Sequence, residues 1–475
     1  MVRPRLGRVP TISIVRTRAK TYSTKPSYSN WSKFAAVTAA FGTSGLVWLT
    51  THGDVSDLDT PPAEDSVNEL GPSKEQVTKI ISQDAYSFSV HNVAGVDRYD
   101  GTQVASNSPC EDRFSHGTLP SPWKDGNQWM AWAVFDGHSG WQTADLLKRQ
   151  LLPFVQRSLG DVQLPSNGGS IPEESIQRAI VQGFLDLDNS IMNTALEATR
   201  TKEPLLEKVK KCLPAFAGSC ALLSLYNPVT STLHVACTGD SRAVLGQQKS
   251  DGSWEATPLS VDQTGLNKEE ITRLYNEHPG EDDIVKDGRV LGIMVSRAFG
   301  DSLWKWPLDI QQEMKQRFYG PSPLTPRYNI RTPPYLTARP AVTTAKIDPS
   351  RPSFLIMATD GMWDMLSNQQ AVDLVGKWLK PQAAGQKHSD PEPSSEPFDF
   401  GHFWNGASWK FMDKRATTQD DNAAVHLVRN SLGGNHHELI AGRLAYSFPH
   451  SRRVRDDITV QVVFFSNPGL KKATT

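Results

Sequence analysis

Acidic residues that directly follow apolar segments are the part of this sequence best suited to chemistry. Asp136 follows the run Trp129–Phe135, which reads as a buried strand, and Gly137 and His138 come next. A buried strand would hold this carboxylate rigidly at the rim of a sheet. A glycine lets the backbone approach a ligand, and a histidine exchanges protons near neutral pH. Taken alone, the tripeptide is better explained as a capped turn between a strand and a helix.

Five further acids stand in the same position relative to predicted strands: Glu111, Asp112, Asp240, Asp360 and Asp456. Strand ends from distant parts of a chain can converge at one rim, where unpaired carboxylates repel and raise each other's pKa. Divalent cations remove that cost, and oxygen ligands without a His or Cys cluster favour Mg²⁺ or Mn²⁺ over Zn²⁺. Each acid considered alone is better explained as a turn or cap residue, but the joint pattern predicts a metal site.

A site of this kind would suit the hydrolysis of a phosphate ester. Two hard cations that share a carboxylate can polarise a bridging water and clamp an oxyanion such as phosphate. His138 could then protonate the departing alkoxide as a general acid.

Hydrophobic periodicity predicts the elements that must position these residues. The predicted helices are Ser139–Leu159, Pro172–Thr199, Lys268–Glu277, Asn368–Leu379 and Asp421–Ser431, and a capping box at Ser73 and Gln76 marks where ordered structure begins. The predicted strands are Tyr86–Val96, Trp129–Phe135, Ser219–Tyr226, Thr232–Cys237, Ala243–Gly246, Phe354–Ala358 and Ile458–Phe465. Hairpin connections favour antiparallel sheets, so we expect an α+β fold with strands in the middle and helices outside.

Two Pro-rich stretches, Ser302–Pro340 and Pro381–Trp409, are predicted to be long loops inserted in a single catalytic domain over residues 73–467. Long loops in compact domains are often functional. We therefore expect the first of them to dock a substrate or a larger complex.

The amino-terminal 33 residues carry eight basic residues, many Ser and Thr, and no acid. This composition predicts a mitochondrial presequence, with a basic tail that binds nucleic acid or membrane as the alternative. Without those eight charges the formal net charge falls from −1 to −9, which argues against a nucleic-acid partner.

An apolar segment, Phe34–Leu49, follows the basic one and is shorter than the roughly 20 residues of a spanning helix. It is consistent with an inner-membrane anchor, a sorting signal or further presequence. The acidic stretch to residue 72 is predicted to be a solvated linker. We expect a mitochondrial protein and favour the matrix, with the intermembrane space and the inner membrane left open.

Seven motifs occur in one order along the chain: E-D at Glu111–Asp112, D-G-H-x-G at Asp136–Gly140, G-S-x-A at Gly218–Ala221, G-D-S-R at Gly239–Arg242, R-A-x-G-D at Arg297–Asp301, A-T-D-G-x-W-D at Ala358–Asp364 and R-D-D-I-T-V at Arg455–Val460. This series resembles the metal-dependent type 2C protein serine/threonine phosphatases. The resemblance implies a four-layer α/β/β/α sandwich, in which two central antiparallel sheets are flanked by helix pairs. It also implies two Mg²⁺ or Mn²⁺ ions and in-line attack of activated water on a phosphoserine or phosphothreonine, without a phosphoenzyme.

The resemblance also implies a role for each site residue. Asp136 would bridge both ions, the Glu111 side chain and the Gly137 carbonyl would serve one ion, and Asp360 and Asp456 the other. Asp112 would act through water, and His138 would be the general acid. The acids that could hold a weaker third ion are Asp240 and Asp364.

The sequence departs from the family at one position. Most members have an arginine that grips the substrate phosphate four residues before the glutamate, and here that residue is Asn107. Arg113 is a candidate substitute. The phrase N-S-P-x-E-D-R that contains the change, together with T-P-P-Y-L-T at Thr332–Thr337, resembles the pyruvate dehydrogenase phosphatases.

The resemblance to that subgroup predicts a phosphorylated protein partner, with the pyruvate dehydrogenase complex as the favoured substrate. Another mitochondrial phosphoprotein is the alternative. A metal-free pseudophosphatase that shields a phosphosite would lack at least one metal ligand, and none is missing. A nuclease is disfavoured by the acidic body and the absence of a basic stripe.

Overall fold

Two antiparallel sheets stacked face to face form the centre of the computed structural model, which describes residues 71–163, 171–383 and 410–465. The strands are β1 Tyr86–Ser89, β2 Val96–Val104, β3 Arg113–Pro120, β4 Gln128–Phe135, β5 Gly137–His138, β6 Gly218–Ser219, β7 Ala221–Asn227, β8 Thr232–Thr238, β9 Arg242–Gln248, β10 Trp254–Pro258, β11 Val285–Lys286, β12 Arg289–Val290, β13 Phe299–Gly300, β14 Ala341–Lys346, β15 Ser353–Ala358 and β16 Ile458–Phe465. The first sheet has the order β1-β2-β16-β15-β9-β10, and the second has the order β14-β8-β7-β4-β3.

Helices cover the outer face of each sheet. The α-helices of the described ranges are α1 Lys74–Ser82, α2 Gln142–Gly160, α3 Glu173–Arg200, α4 Leu205–Phe216, α5 Lys268–Glu277, α6 Leu308–Arg317, α7 Asp360–Trp363, α8 Asn368–Ala383, α9 Ala423–Leu432 and α10 His437–Leu444. Helices α2, α3 and α4 pack on the second sheet, and α1, α8, α9 and α10 pack on the first. The predicted four-layer α/β/β/α sandwich is therefore the observed fold.

The central strands are apolar along their whole length because both of their faces are buried. In β15, Phe354 and Ile356 face the outer helices while Leu355 and Met357 face the other sheet. Strand β4 alternates in the same way between the helices and the layer between the sheets. The alternation fixes the register, because a slip of one residue would exchange the two faces.

The register also brings strand ends from both sheets to one rim. Ala358 at the end of β15 lies opposite Val460 of β16 and Arg242 of β9. In the second sheet, Leu222 lies opposite both Val134, near the end of β4, and Cys237, near the end of β8. The turns that follow β4, β8 and β15 and the turn that precedes β16 therefore share one edge of the sandwich.

A third, three-stranded sheet with the order β13-β6-β5 lies beside this edge. In its register His138 is opposite Gly218, and Gly218 is opposite Gly300. The small sheet thus connects the D-G-H, G-S-x-A and R-A-x-G-D motifs, which are far apart in the sequence.

Several sequence predictions need correction. The predicted strand Tyr86–Val96 is broken between β1 and β2, because the chain turns at residues 90–95. The predicted loop Ser302–Pro340 contains helix α6, and it buries Trp306, Met314 and Phe318 in the core beneath α2 and α3. Helix α8 continues to Ala383, so the second predicted loop begins with a helical turn.

The capping box at Ser73 and Gln76 is confirmed at the start of α1. The predicted presequence, the apolar segment Phe34–Leu49, the acidic linker, and residues 384–409 and 466–467 lie outside the described residues. Among the helices of the described ranges, none is both long enough and apolar enough to cross a membrane.

Candidate active site

Three carboxylates from both sheets meet at the shared rim. Asp136 follows β4, Asp240 follows β8, and Asp360 begins α7 directly after β15. Each offers an oxygen atom within 4.8 Å of the other two. The convergence expected from strand-end placement is therefore observed for these three residues.

The cluster is electrostatically costly for the ion-free protein. Burial, followed by the charges of Asp360 and Asp112, raises the pKa of Asp136 well above its usual range. Burial and the charge of Asp360 raise the pKa of Asp240 to about 7. Burial and Asp364 raise the pKa of Asp360 to about 6. Carboxylates held together in this way favour a bound cation, because the cation replaces mutual repulsion with attraction.

Asp112 is fixed behind this cluster. Its Oδ2 accepts hydrogen bonds from the hydroxyls of Thr359, at 3.0 Å, and Thr459, at 2.7 Å. Its Oδ1 is buried and has no hydrogen-bond partner among the described residues. A buried acceptor without a donor is rare in proteins. The unused oxygen and the purely oxygen donor set both fit a hard divalent cation with water ligands.

Asp457 organises the loop that carries Glu111. Its carboxylate accepts hydrogen bonds from the backbone N–H groups of Ser106 at 2.5 Å, Asn107 at 2.8 Å and Glu111 at 2.8 Å. Burial alone would raise the pKa of Asp457, but these donors hold it below its usual value. No role for Asp457 is predicted from the sequence, although the doubled acid in R-D-D-I-T-V is a visible signal.

Gly137 is required by close packing. A Cβ at this position would lie 2.3 Å from the carbonyl oxygen of Glu111 and 3.2 Å from the Cβ of Ala144. The absence of a side chain therefore lets the turn after β4 lie against the Glu111 loop. The close approach of this backbone to a ligand held by Asp136 stays a prediction, and the observed contact is with the loop of a second candidate ligand.

His138 forms an ion pair with Asp301, the last residue of the R-A-x-G-D motif, for which the sequence predicted no individual role. Its Nε2 lies 2.7 Å from Oδ2 of Asp301, which is 1% exposed in its side chain, whereas the imidazole is 29% exposed. Burial lowers the pKa of His138, but the charge of Asp301 and the hydrogen bond to it outweigh burial, so the pKa is raised. Nε2 is therefore engaged with Asp301, and Nδ1 is the other ring nitrogen.

Asp456 and Asp364 lie at the margins of the cluster. Asp456 contacts the guanidinium of Arg452, and its Oδ1 accepts a hydrogen bond from the N–H of Asp457 at 2.6 Å. Burial and the charge of Asp240 raise the pKa of Asp364, which places Asp364 near Asp240.

The two residues considered for phosphate binding are engaged elsewhere. The amide nitrogen of Asn107 donates to Asp457 at 2.9 Å and to Glu111 at 3.4 Å. Nη1 of Arg113 donates to the carbonyl oxygens of Cys110 and Asp112, both at 2.7 Å. Asn107 therefore acts as part of the Glu111 loop. The hydrogen bonds of the Arg113 guanidinium connect that loop to the start of β3.

Comparisons with known proteins agree with this arrangement. The protein phosphatase 2C family profile matches residues 104–392. The chain is 38% identical over 447 residues to a protein phosphatase 2C homologue of Schizosaccharomyces pombe, covering 92% of this chain and 97% of that one. It is 35% identical to mitochondrial pyruvate dehydrogenase phosphatase 1 of Saccharomyces cerevisiae, covering 81% of this chain and 71% of that one. The human phosphatase of that name is 31% identical, with 82% and 83% covered.

Proposed function

Because this chain belongs to the protein phosphatase 2C family, a family of serine/threonine phosphatases, we propose that it is a mitochondrial phosphatase that dephosphorylates the pyruvate dehydrogenase complex. The observation that carries the proposal is its similarity to two pyruvate dehydrogenase phosphatases over more than four fifths of its length. The basic, acid-free first 33 residues support the mitochondrial location.

The site residues can be assigned as follows. Asp136, Asp360, Asp456, Glu111 and the Gly137 carbonyl would hold two Mg²⁺ or Mn²⁺ ions, with Asp112 behind them and Asp240 and Asp364 available for a third. Such ions, when bound, activate water and neutralise the charge of a phosphate ester.

His138 would supply the proton that the leaving serine or threonine oxygen needs. Asp301 contacts Nε2 and favours the protonated imidazole, so Nδ1 would carry the proton for the leaving oxygen. Asp112 is positioned by two hydroxyls and a rigid sheet, which limits movement of the carboxylates during the reaction.

The proposed docking role of residues 302–340 is narrowed by the packing of this segment. Because Trp306 and Met314 are core residues, replacing the whole segment would unfold the domain. Tyr319, just after α6, is 79% exposed and is the better probe. We expect Tyr319→Ser to weaken action on the complex while sparing a small aryl phosphate, and equal loss on both substrates would contradict docking at this position.

The decisive experiment uses the purified chain with Mn²⁺ or Mg²⁺ and phosphorylated pyruvate dehydrogenase complex. Release of phosphate and recovery of dehydrogenase activity are expected, and Asp136→Asn should abolish both. Turnover of p-nitrophenyl phosphate without action on the complex would favour another mitochondrial phosphoprotein as substrate. Binding of the phosphoprotein without turnover of either substrate would favour a phosphosite-binding pseudophosphatase.

A further inference from the structure

Arg452 places a guanidinium at the edge of the carboxylate site. It belongs to the short 3-10 helix His450–Arg453, just before β16, and its Nη1 contacts Oδ1 of Asp456. The guanidinium is therefore in contact with one of the candidate metal ligands.

The side chain of Arg452 is 40% exposed, and Asp456 is its one protein partner within the described part of the chain. A guanidinium is planar and carries five N–H donors in a fixed fork. A pair with one carboxylate uses one edge of that fork, so donors on the other edge remain for a second oxyanion.

No arginine stands where the family resemblance would place the phosphate-binding one. Position 107 is an asparagine whose amide is bonded to Asp457 and Glu111. The guanidinium of Arg113 is bonded to backbone carbonyls and to Asp145. A substrate phosphate at this rim would meet a strongly acidic surface. A positively charged side chain that can bind the phosphate is therefore needed in addition.

We propose that Arg452 binds the phosphoryl group of the substrate, taking the role that an arginine at position 107 would otherwise have. This inference rests on the proposed phosphatase function and adds a substrate-binding residue to it. Guanidinium suits the task because it can donate two parallel hydrogen bonds to phosphate oxygens. The contact with Asp456 holds the guanidinium of Arg452 at the rim, and the short helix before β16 carries this arginine.

The test measures phosphate affinity in the full chain. Inorganic phosphate is used as a competitive inhibitor of p-nitrophenyl phosphate hydrolysis, and its binding to the Mn²⁺-loaded protein is followed by calorimetry. Arg452→Gln should weaken phosphate binding and raise KM by about 10- to 100-fold, the effect of losing a charge-assisted hydrogen bond. Arg452→Lys should recover only part of the affinity, because an ammonium lacks the fork.

The control is Arg453→Gln, which removes the same charge one residue later and should leave phosphate affinity within about twofold, since surface charges at a distance are screened. Thermal unfolding of each variant checks that it is folded. Calorimetry with Mn²⁺ alone separates phosphate binding from metal binding. A change in Mn²⁺ affinity with unchanged phosphate affinity in Arg452→Gln would overturn the proposal.

Arg452→Lys keeps the positive charge beside Asp456, so it keeps the test informative if Arg452→Gln is poorly folded. Asn107→Arg in the Arg452→Gln background should regain phosphate affinity, because it returns a guanidinium to the Glu111 loop. Equal phosphate affinity in the wild type, Arg452→Lys and Arg452→Gln proteins would exclude a role for Arg452. Failure of the wild type to hydrolyse p-nitrophenyl phosphate would instead count against the proposed function, so the two failures are distinguishable.

Discussion

His138 and Asp301 meet directly above Gly218, the residue that lies between their strands in the small sheet. A Cβ on Gly218 would lie 2.1 Å from Nε2 of His138 and 2.4 Å from both carboxylate oxygens of Asp301. The absence of a side chain at Gly218, the glycine of the G-S-x-A motif, therefore leaves the space that this ion pair occupies. Asp301 itself has a left-handed backbone, with φ of 50°, which an aspartate tolerates better than most residues.

The first prediction concerns the pair itself. Asp301→Asn keeps the shape but removes the charge that stabilises a protonated imidazole. We expect kcat on a phosphoserine peptide to fall about 10- to 100-fold, because an alkoxide needs a proton to leave. The nitrophenolate of p-nitrophenyl phosphate leaves without one, so kcat on that substrate should change by less than about threefold.

The comparison of the two substrates decides the role of Asp301. Asp309→Asn, on the exposed side of α6, serves as the control and should affect neither substrate. Equal losses on the peptide and on p-nitrophenyl phosphate would mean that Asp301 supports the fold and not proton delivery.

The second prediction concerns the support of Asp301 by helix α3. Asp188 accepts a hydrogen bond from the N–H of Gly300 at 3.0 Å, and Nζ of Lys305 lies 2.6 Å from its other oxygen. Both side chains are at most one tenth exposed, and breaking such a pair strands a buried charge. We expect Lys305→Met to lower the free energy of unfolding by about 3 kcal/mol in urea denaturation.

The double variant Asp188→Asn with Lys305→Met should be more stable than Lys305→Met alone, because no charge remains buried. Asp186→Asn, on the exposed side of the same helix, is the matched control. A Lys305→Met protein as stable as the wild type would show that the pair is solvent-accessible in solution.

The third prediction is a pH dependence that arises from Glu270. This carboxylate accepts hydrogen bonds from Arg297, Arg273 and Ser296. Burial would raise its pKa, but these partners lower the pKa from 4.5 to about 2. An acid whose pKa is lower in the folded state stabilises the fold above its unfolded value and loses that contribution as pH falls toward the folded value.

Glu270 should therefore contribute on the order of 3 kcal/mol at neutral pH, and the contribution should decline between pH 4.5 and about 2. The measurement is the free energy of unfolding of wild type and Glu270→Gln from pH 7 to pH 3. Their difference should narrow as the pH falls below 4.5. Glu269→Gln, on the exposed face of α5, should show the same pH dependence of the free energy of unfolding as the wild type. A difference between wild type and Glu270→Gln that stays constant with pH would refute the role assigned to Glu270.

The fourth prediction concerns the loss of stability that the carboxylate cluster causes when no ion is bound. In EDTA, Asp136→Asn should melt at a higher temperature than the wild type, because it removes one of several repelling charges; about 1 kcal/mol is expected. Mn²⁺ should raise the melting temperature of the wild type by mass action and have a much smaller effect on the variant. Equal stabilisation of both proteins by Mn²⁺ would place the ion elsewhere.

The fold and the carboxylates could be predicted because both leave local signals. Runs such as Phe354–Ala358 are apolar throughout, and the acid that follows each run stands at a sheet rim in any antiparallel sandwich. Helix α4 was missed because its Pro214 interrupts the pattern, and β3 was missed because it is polar at an edge. Edge strands lack the continuous apolar run that marks a central strand.

The residues that contact and support the site residues could not be predicted from sequence spacing. Asp301 is 163 residues from His138, and their contact depends on the register of the small sheet and on a left-handed backbone. Asp457 is the second acid of the R-D-D-I-T-V motif and Arg452 precedes that motif by three residues, but residue type alone does not show which of two adjacent charges contacts a loop and which lies at the rim. Asp188 is detectable only as an acid on the otherwise apolar face of α3.

Strand β16 is the last of the described strands in the sequence, yet it lies in the interior of its sheet, between β2 and β15. Until it inserts, the sheet consists of two unjoined halves, and neither Asp456 nor the Asp457 support for the Glu111 loop is in place. A nascent or carboxyl-terminally truncated chain therefore has no complete centre. Pairing within the first sheet and assembly of the carboxylate site therefore depend on one strand, which the ribosome completes after the other described strands.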